Sequence, residues 1–518
     1  APRRQRARRR ALANRQIAGR PSAAIANRSP EGRIMNLNAL AIAPEAILTL
    51  AVVVLLLVDV QFHPGHRWWG MAAGLGLLGA TTASVLQWVD FRGADGEAFF
   101  SGMMLVDGFS SFAGLVVFPL TGLGLMTAWP LVRRLEGRGA EFVTLVLIAA
   151  TGAHLMAGAG NLLMLFIGLE VFSISLYVLA GFTRDRADSD EAALKYFLLG
   201  GLASAIFLYG VALVFAATGS LSINGIGEYL ETTVLLRPGI LLAGIALLVV
   251  GLGFKVSAAP FHVWAPDVYQ GAPGAVTGFL ASSAKVAGFA ALARVLTVAL
   301  GARIDDWAPA VAVIAAVSIV IGTLLALAQT DLKRMLAYSS VAHAGFILSA
   351  VTAGGAGVPD MWFYVATYAV QVLAAFAVAS VVSGPATGRS PLTDYAGLSA
   401  RSPFLAAMLG LMMLAMGGIP VTAGFVGKVA VFRSAIDAGY LWLVITGVVA
   451  TVAGLFFYLR VIVLMYMQPA AEVPDSQGAR LSVPLGVGIA LSVAALVTLL
   501  AGLVPWPLLE WLRDALPL

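Results

Sequence analysis

The chain is 518 residues long, 60% hydrophobic and 11% charged, with a mean hydropathy of +0.90. Soluble domains carry about 25% charged residues, so this composition excludes an ordinary soluble fold and points to repeated membrane crossings. The absence of cysteine excludes disulfides, thiolate metal sites and cysteine-held iron–sulfur clusters, and the formal charge of +5 originates largely in the N-terminal run rather than in a nucleic-acid-binding surface.

Residues 1–34 hold ten arginines and no apolar run, and read as a disordered basic extension. The same Arg-rich, acid-poor composition fits a transit peptide, and Met35 offers a working start downstream of it. Fourteen spans follow, at 38–58, 68–89, 103–131, 142–158, 160–182, 192–217, 238–262, 273–300, 308–329, 335–354, 361–383, 403–436, 440–467 and 481–505. Most are long and apolar enough to cross a bilayer as a helix, and the 56 glycines suit closely packed membrane helices. The predicted fold is an all-α polytopic membrane protein, with one transmembrane domain over residues 35–518.

Two spans are irregular. The seventh contains Lys255, Pro260 and His262 and runs on through Trp264 and Pro266. The twelfth is too long for one crossing and carries Gly417, Gly418, Pro420, Gly424 and Gly427 just before Lys428. A proline removes a helix donor and frees a carbonyl, which lipid depth tolerates only where protein or water satisfies it. Broken helices five spans apart predict two inverted five-helix repeats, spans 4–8 (142–300) and 9–13 (308–467), with 481–505 as a final helix.

Loops after odd-numbered spans carry eleven Lys and Arg residues (Arg67, Arg133, Arg134, Arg138, Arg184, Arg186, Lys333, Arg334, Arg389, Arg401 and Arg480), against Arg92, Arg237 and Arg303 in the even loops. Positive charge collects on the cytoplasmic side, so the odd loops are predicted to face the cytoplasm and both termini the outside. The ten tail arginines conflict with that orientation, which favours either Met35 as the start or a tail whose charge the other loops overrule.

The chain has five lysines, at 195, 255, 285, 333 and 428, against 27 arginines, and four of the five fall inside predicted spans. Almost every arginine lies in the tail, in a loop or near a helix end. An ionisable group at bilayer depth costs roughly 2.5–3.5 kcal/mol, so each one calls for a function. The candidates are Glu170, Lys195, Lys255, His262, Lys285, His343 and Lys428. Burial brings a lysine within reach of losing its proton, arginine never gives its proton up, and histidine relays near neutral pH. Competing structural readings apply to some positions. Lys195 follows Glu191 by four residues and fits a snorkelling helix pair near the interface. His154 fits a hydrogen bond to a neighbouring helix, and Asp107, Asp267 and Glu45 lie near predicted span ends and read as interfacial. The sequence contains no glycine-rich phosphate loop, nucleophile elbow or haem-type histidine pair, so neither ATP hydrolysis nor a redox centre is expected in this chain.

The stretches GLEVFSISLYVLAGF, EAALKYFLLGGLASAIFLYG, FKVSAAPFHVWAPDVYQGAPGAVTGFLASSAK, DLKRMLAYSSVAHAGF and GGIPVTAGFVGKVAVF together resemble the antiporter-like membrane subunits of bacterial NADH:quinone oxidoreductase, respiratory complex I. The DVYQGAPGAVTGFLA segment and lysine at 428, where subunit M would carry glutamate, resemble subunit N, the equivalent of mitochondrial NADH dehydrogenase subunit 2. The likeness is concentrated between Gly168 and Phe432, weakens toward both ends and leaves residues 1–34 unmatched. It implies a proton-translocating subunit in a bacterial cell membrane, driven by quinone reduction elsewhere in the complex. Glu170 matches the fifth-helix glutamate that pairs with the seventh-helix lysine, here Lys255. Lys285 matches the eighth-helix lysine leading to the centre, His343 a position on the central polar axis, and Lys428 the lysine of the broken twelfth helix. Lys195 matches a sixth-helix lysine of the family. The resemblance further implies no cofactor in this chain, with flavin, iron–sulfur clusters and quinone on partner subunits. The partners it implies are subunit M, the small subunit K and the long lateral helix of subunit L. Two other functions stay open at this point, a subunit of a sodium/proton antiporter and a membrane scaffold that conducts nothing.

Overall fold

The computed structural model describes residues 39–91, 96–135, 137–183, 186–235, 238–384, 386–469 and 481–516. The basic extension, residues 1–34, lies outside them. Helices α1 (Ala43–Phe62), α2 (His66–Phe91), α3 (Gly108–Val132), α4 (Gly139–Ala157), α5 (Leu162–Ala180) and α6 (Ala187–Thr218) come first. The short α7 (Ile223–Thr232) leads to α8 (Gly239–Lys255), α9 (Trp264–Gly271) and α10 (Gly274–Ala293), which continues through a π-helical turn, Arg294–Ala299. Then follow α11 (Ile304–Leu327), α12 (Leu332–Val351), α13 (Val358–Ser383), the single turn α14 (Leu398–Arg401), α15 (Pro403–Gly417), α16 (Ala423–Asp437), α17 (Leu441–Met467), α18 (Leu485–Leu503) and α19 (Trp506–Ala515).

Eleven of these helical stretches are long and apolar enough to cross a membrane, so the chain is an all-α, multi-pass membrane protein. The three predicted spans outside that set have specific causes. The seventh and twelfth are split into half-helices, α8 with α9 and α15 with α16. The tenth, α12, opens on Lys333 and Arg334. The window Gly274–Ala299 is 100% buried and Gly354–Ser383 is 78% buried, against 28% for α1 and 33% for α18. The centre of the molecule is therefore α10 with α13, and α1, α17 and α18 form its rim. Helices pack most closely where both present glycine. A Cβ at Gly210 of α6 would lie 2.9 Å from the Leu248 nitrogen, and one at Gly244 of α8 would lie 3.0 Å from the Val214 nitrogen.

The third span begins later than its apolar run suggests. Met104–Val106 forms an antiparallel hairpin with Glu97–Phe99, and Asp107 starts α3 by accepting from Ser110 N–H in a capping box. Besides the single turn α14, α7 and α19 also fall outside the predicted spans; α7 packs against the π-helical turn Arg294–Ala299 and α19 against α13. Two loop pairings resemble one another. Asn161 caps α5 and bridges to Ser222, while Asp331 caps α12 and bridges to Pro391. The first pairing is sealed by Leu162 N–H donating to Leu221 O at 2.9 Å, and the second by Leu332 N–H donating to Ser390 O at 2.8 Å.

Candidate functional site

The first broken helix ends at Lys255. A helix end leaves its last carbonyls without intrahelical partners, and the peptide dipoles make that end a favourable place for a cation. Here the Leu252, Gly253 and Phe254 carbonyls accept from Val256, Ala258 and Ser257 N–H groups, and Ser257 takes the left-handed conformation at φ +57°. Trp264 Nε1 also donates to Phe254 O. Two residues further on, Val256 O accepts from the Lys285 ammonium of α10. The peptide bond Ala259–Pro260 in this break is cis.

The second broken helix ends in the same way. Gly418 turns at φ +84°, and Gly418 and Ile419 N–H groups return to Ala415 and Leu414 O. The two carbonyls left over, Met416 O and Gly417 O, both accept from Lys428 Nζ at 3.1 Å. A Cβ at 418 would stand 3.0 Å from Lys428 Cδ, so glycine both permits the turn and leaves the lysine its seat. Lys428 also lies 4.8 Å from the Phe346 ring centre, a cation–π distance.

Lys255 itself points toward α5. Its ammonium donates to Ser173 Oγ at 2.8 Å and stands 4.5 Å from the Phe172 ring centre. Ser173 lies one helical turn beyond Glu170 on α5. Glu170 is half-buried, and its Oε1 is enclosed with no hydrogen-bond partner among the described residues. The two charged groups therefore share a patch of α5 within electrostatic reach of one another but without direct contact, and the Ser173 hydroxyl that receives Lys255 donates in turn to Leu169 O at 2.5 Å.

His343 occupies the middle of the bundle on α12. Its Nδ1 is 2.9 Å from Tyr364 Oη and its Nε2 is 3.1 Å from Tyr458 Oη, while Tyr368 stacks on the ring at 4.3 Å. It lies within electrostatic reach of both Lys285 and Lys428. Tyr269, Ser340, Tyr368 and Gln371 contribute further enclosed polar atoms that have no partner among the described residues. Lys255, Lys285, His343 and Lys428 thus form a buried polar row between the two helix breaks.

Of the other two candidates, His262 borders this row within electrostatic reach of Lys285, and Lys195 stands apart from it. His262, in the first break, is 8% exposed and faces Tyr338, with Nδ1 unpartnered among the described residues. Lys195 is half-exposed at a cavity of about 230 Å³, where it pairs with Glu191 at 2.6 Å and with Asp267 at 2.9 Å. Asp267 is held from its other side by Arg334 at 2.7 Å.

Three features correct the sequence reading. Glu45, expected at an interface, is 4% exposed and pairs with His154 at 2.7 Å. Asp107, also expected at an interface, is 7% exposed and bound by the fully buried Arg294, whose guanidinium also donates to Ala157 O. Lys333, assigned to a loop, is buried at the start of α12 and donates to the carbonyls of Gln270, Ala272 and Thr387. The signal for Arg294 was present, since it interrupts the eighth apolar span. Position near a predicted end concealed the others. Among the described residues, no group of three or more His, Asp or Glu side chains converges as a metal site.

Residues 159–454 match the family described as NADH:quinone oxidoreductase/Mrp antiporter, transmembrane. NADH-quinone oxidoreductase subunit N of Trichlorobacter lovleyi is 39% identical over 93% of this chain and 98% of its own length. The subunit N of Thermobifida fusca is 45% identical over 71% of this chain and 68% of its own. A chain of respiratory complex I from Thermus thermophilus superposes with a TM-score of 0.76 at 36% identity, over 91% of this chain and all of that one. The Mrp complex from Dietzia, at 21% identity and a TM-score of 0.77, shares the fold alone. A buried row of lysines between two broken helices, the family match over residues 159–454, and a subunit N relative 39% identical over 98% of its own length together place the chain in the subunit N family of NADH-quinone oxidoreductases.

Proposed function

We propose that this chain is the antiporter-like subunit N of a bacterial NADH:quinone oxidoreductase and moves protons across the membrane through Glu170, Lys255, Lys285, His343 and Lys428. The observation that carries this reading is the seating of Lys285 and Lys428 on carbonyls freed by the two helix breaks. A lysine held by neutral carbonyls and a hydroxyl can give up and regain a proton without leaving a partnered carboxylate exposed in the core, which an arginine could not do. His343 between two tyrosine hydroxyls bridges the halves, since imidazole accepts at one nitrogen as it donates from the other. A scaffold that conducts nothing would gain little from three lysines kept at such depth.

The two matching loop pairings support the inverted-repeat reading, because three crossings (α8 with α9, then α10 and α11) separate Ser222 from Asp331 and bring them to opposite ends. Counting α8/α9 and α15/α16 each as one crossing gives the fourteen spans of this reading, and the excess of positive charge in the odd loops supports both termini lying outside the cytoplasm. Lys195 and His262 belong to the approach to the row rather than to the row itself. Flavin, iron–sulfur clusters and quinone are assigned to other subunits, and subunits M, K and the lateral helix of L to the lipid-depth flanks.

The test is Lys255→Ala in the assembled complex. Proton pumping is expected to be abolished while NADH oxidation by artificial acceptors persists. Unchanged pumping overturns the proposal. Purification in mild detergent separates the antiporter alternative: co-elution with flavin and iron–sulfur subunits supports complex I, and elution only with small antiporter subunits overturns it.

A further inference from the structure

Beyond Lys428 the polar row has no assigned continuation, yet α16 leads to a second set of charged groups. Ser434 lies six residues further along α16, about 9 Å along its axis, on the buried side. Its hydroxyl donates to Asp360 Oδ2 at 2.7 Å. Asp360 sits in the first turn of α13, with its side chain 7% exposed, and its other oxygen accepts from Arg513 Nη2 at 3.2 Å. The Arg513 side chain is 46% exposed and belongs to α19. Ser434, Asp360 and Arg513 border a cavity of about 310 Å³ that also touches Arg433 and Asp437. The helix carrying Arg513 is anchored independently of the ion pair. Leu512 is fully buried, and Trp511 packs against Trp88 at 4.2 Å and Phe112 at 5.6 Å. The guanidinium is therefore presented over the cavity by a fixed element.

We propose that Asp360 is the proton acceptor at the mouth beyond Lys428, and that Arg513 is a latch on it supplied by the C-terminal helix. The inference rests on the proton-path reading above and extends it to the protein surface. The Lys428 ammonium gives one proton to water, which carries it along α16 to Ser434; the Ser434 hydroxyl takes up that proton as it passes its own to Asp360, and the carboxylate becomes a carboxylic acid. Neutral Asp360 no longer holds Arg513, which swings into the cavity from its half-exposed position. The carboxylic acid then releases its proton to solvent, and the carboxylate recaptures Arg513. The row is thus closed to back-flow whenever Asp360 is charged. A purely structural ion pair would need neither the Ser434 hydroxyl on the inner oxygen nor a cavity at the outer one.

The experiment uses the whole complex reconstituted in vesicles and reads protons moved per electron transferred. Asp360→Asn is expected to lower that ratio about tenfold, and Asp360→Glu to restore most of it, because a proton-transfer group contributes at least on that scale. Lys428→Ala is measured alongside. If Lys428→Ala has no effect, the proton-path reading fails; if Lys428→Ala abolishes pumping while Asp360→Asn pumps normally, only the Asp360 proposal fails. Should Asp360→Asn prevent assembly, Ser434→Cys decides, since the chain has no cysteine of its own. A membrane-impermeant maleimide is expected to label that cysteine in this chain from one side, and faster when Arg513→Ala is added. No labelling, or labelling indifferent to Arg513, overturns the latch.

Discussion

The Lys285 ammonium rests on the main-chain carbonyl of Val256, the residue that follows Lys255 at the end of α8. The two lysines are thereby coupled through one helix terminus: any shift of that terminus moves the seat of one and the stem of the other. The contact also leaves no spare room. A Cβ at Gly288 would stand 2.8 Å from Val256 Cγ1 and 3.5 Å from Lys255 Cγ.

Gly288→Ala therefore tests the coupling without removing any ionisable group. The added methyl must push α8 from α10, and such overpacking costs about 1–3 kcal/mol. If that energy appears in the barrier to proton transfer, pumping falls by about tenfold or more while the complex still assembles. The ratio of protons to electrons in reconstituted vesicles checks it. Normal pumping would show that the carbonyl contact plays no part in transfer.

Exchange of lysine for arginine separates the row from its approach. Lys195 needs only a positive charge, because it bridges Glu191 and Asp267 at a half-exposed cavity, where one such pair contributes about 0–1 kcal/mol. Lys195→Arg should keep at least about half of the pumping rate. Lys255→Arg and Lys285→Arg should keep almost none, since a guanidinium stays protonated and is too broad for the single Ser173 or Val256 oxygen. Equal tolerance at all three positions would contradict the division.

The row was legible in the sequence because charge at bilayer depth is costly, which makes Lys255, Lys285 and Lys428 stand out against apolar neighbours. The two breaks were legible because proline and paired glycines end helices wherever they fall. Partner choice was not. Nothing in the spacing shows that Lys255 bonds to Ser173, or that Lys285 takes a carbonyl 29 residues upstream. Glu45, Asp107 and Lys333 were misplaced for one reason: near a span end, a charge facing the bundle interior and one facing the headgroups look alike, and only packing between helices decides. The amphipathic α19 escaped notice because ten residues after the last apolar run resemble a tail.

The Glu45–His154 pair makes a double-mutant prediction. It joins α1 to α4 at 2.7 Å in the core, with Glu45 Oε2 and His154 Nε2 enclosed and unpartnered among the described residues. His154→Leu alone strands the carboxyl group and should destabilise the complex by about 3–5 kcal/mol, as for other broken buried pairs. Glu45→Leu with His154→Leu should recover most of that loss, because two apolar groups of similar volume leave nothing unsatisfied. Thermal inactivation of the detergent-purified complex measures both, and a double variant no better than the single one would refute the pairing energy.

Arg294 and Asp107 pose the opposite case, in which charge cannot simply be replaced by methylene. The guanidinium reaches Asp107 with both terminal nitrogens, at 2.5 and 3.0 Å, and gives two more hydrogen bonds to Ala157 O, at 3.2 and 2.8 Å. Phe109 stacks below it, 4.5 Å from ring centre to guanidinium carbon. This one side chain ties the N-terminus of α3, the C-terminal end of α4 and the π-turn of α10. Lysine keeps the charge but cannot serve Asp107 and Ala157 together with a planar fork, so Arg294→Lys leaves carbonyl and carboxylate oxygens unpaired in a buried site. Each unsatisfied group costs about 1–3 kcal/mol, and the loss falls on assembly rather than on proton transfer. The expected outcome is a several-fold lower yield of complex whose surviving fraction pumps normally per electron. A normal yield with impaired pumping would move Arg294 from the scaffold into the proton path.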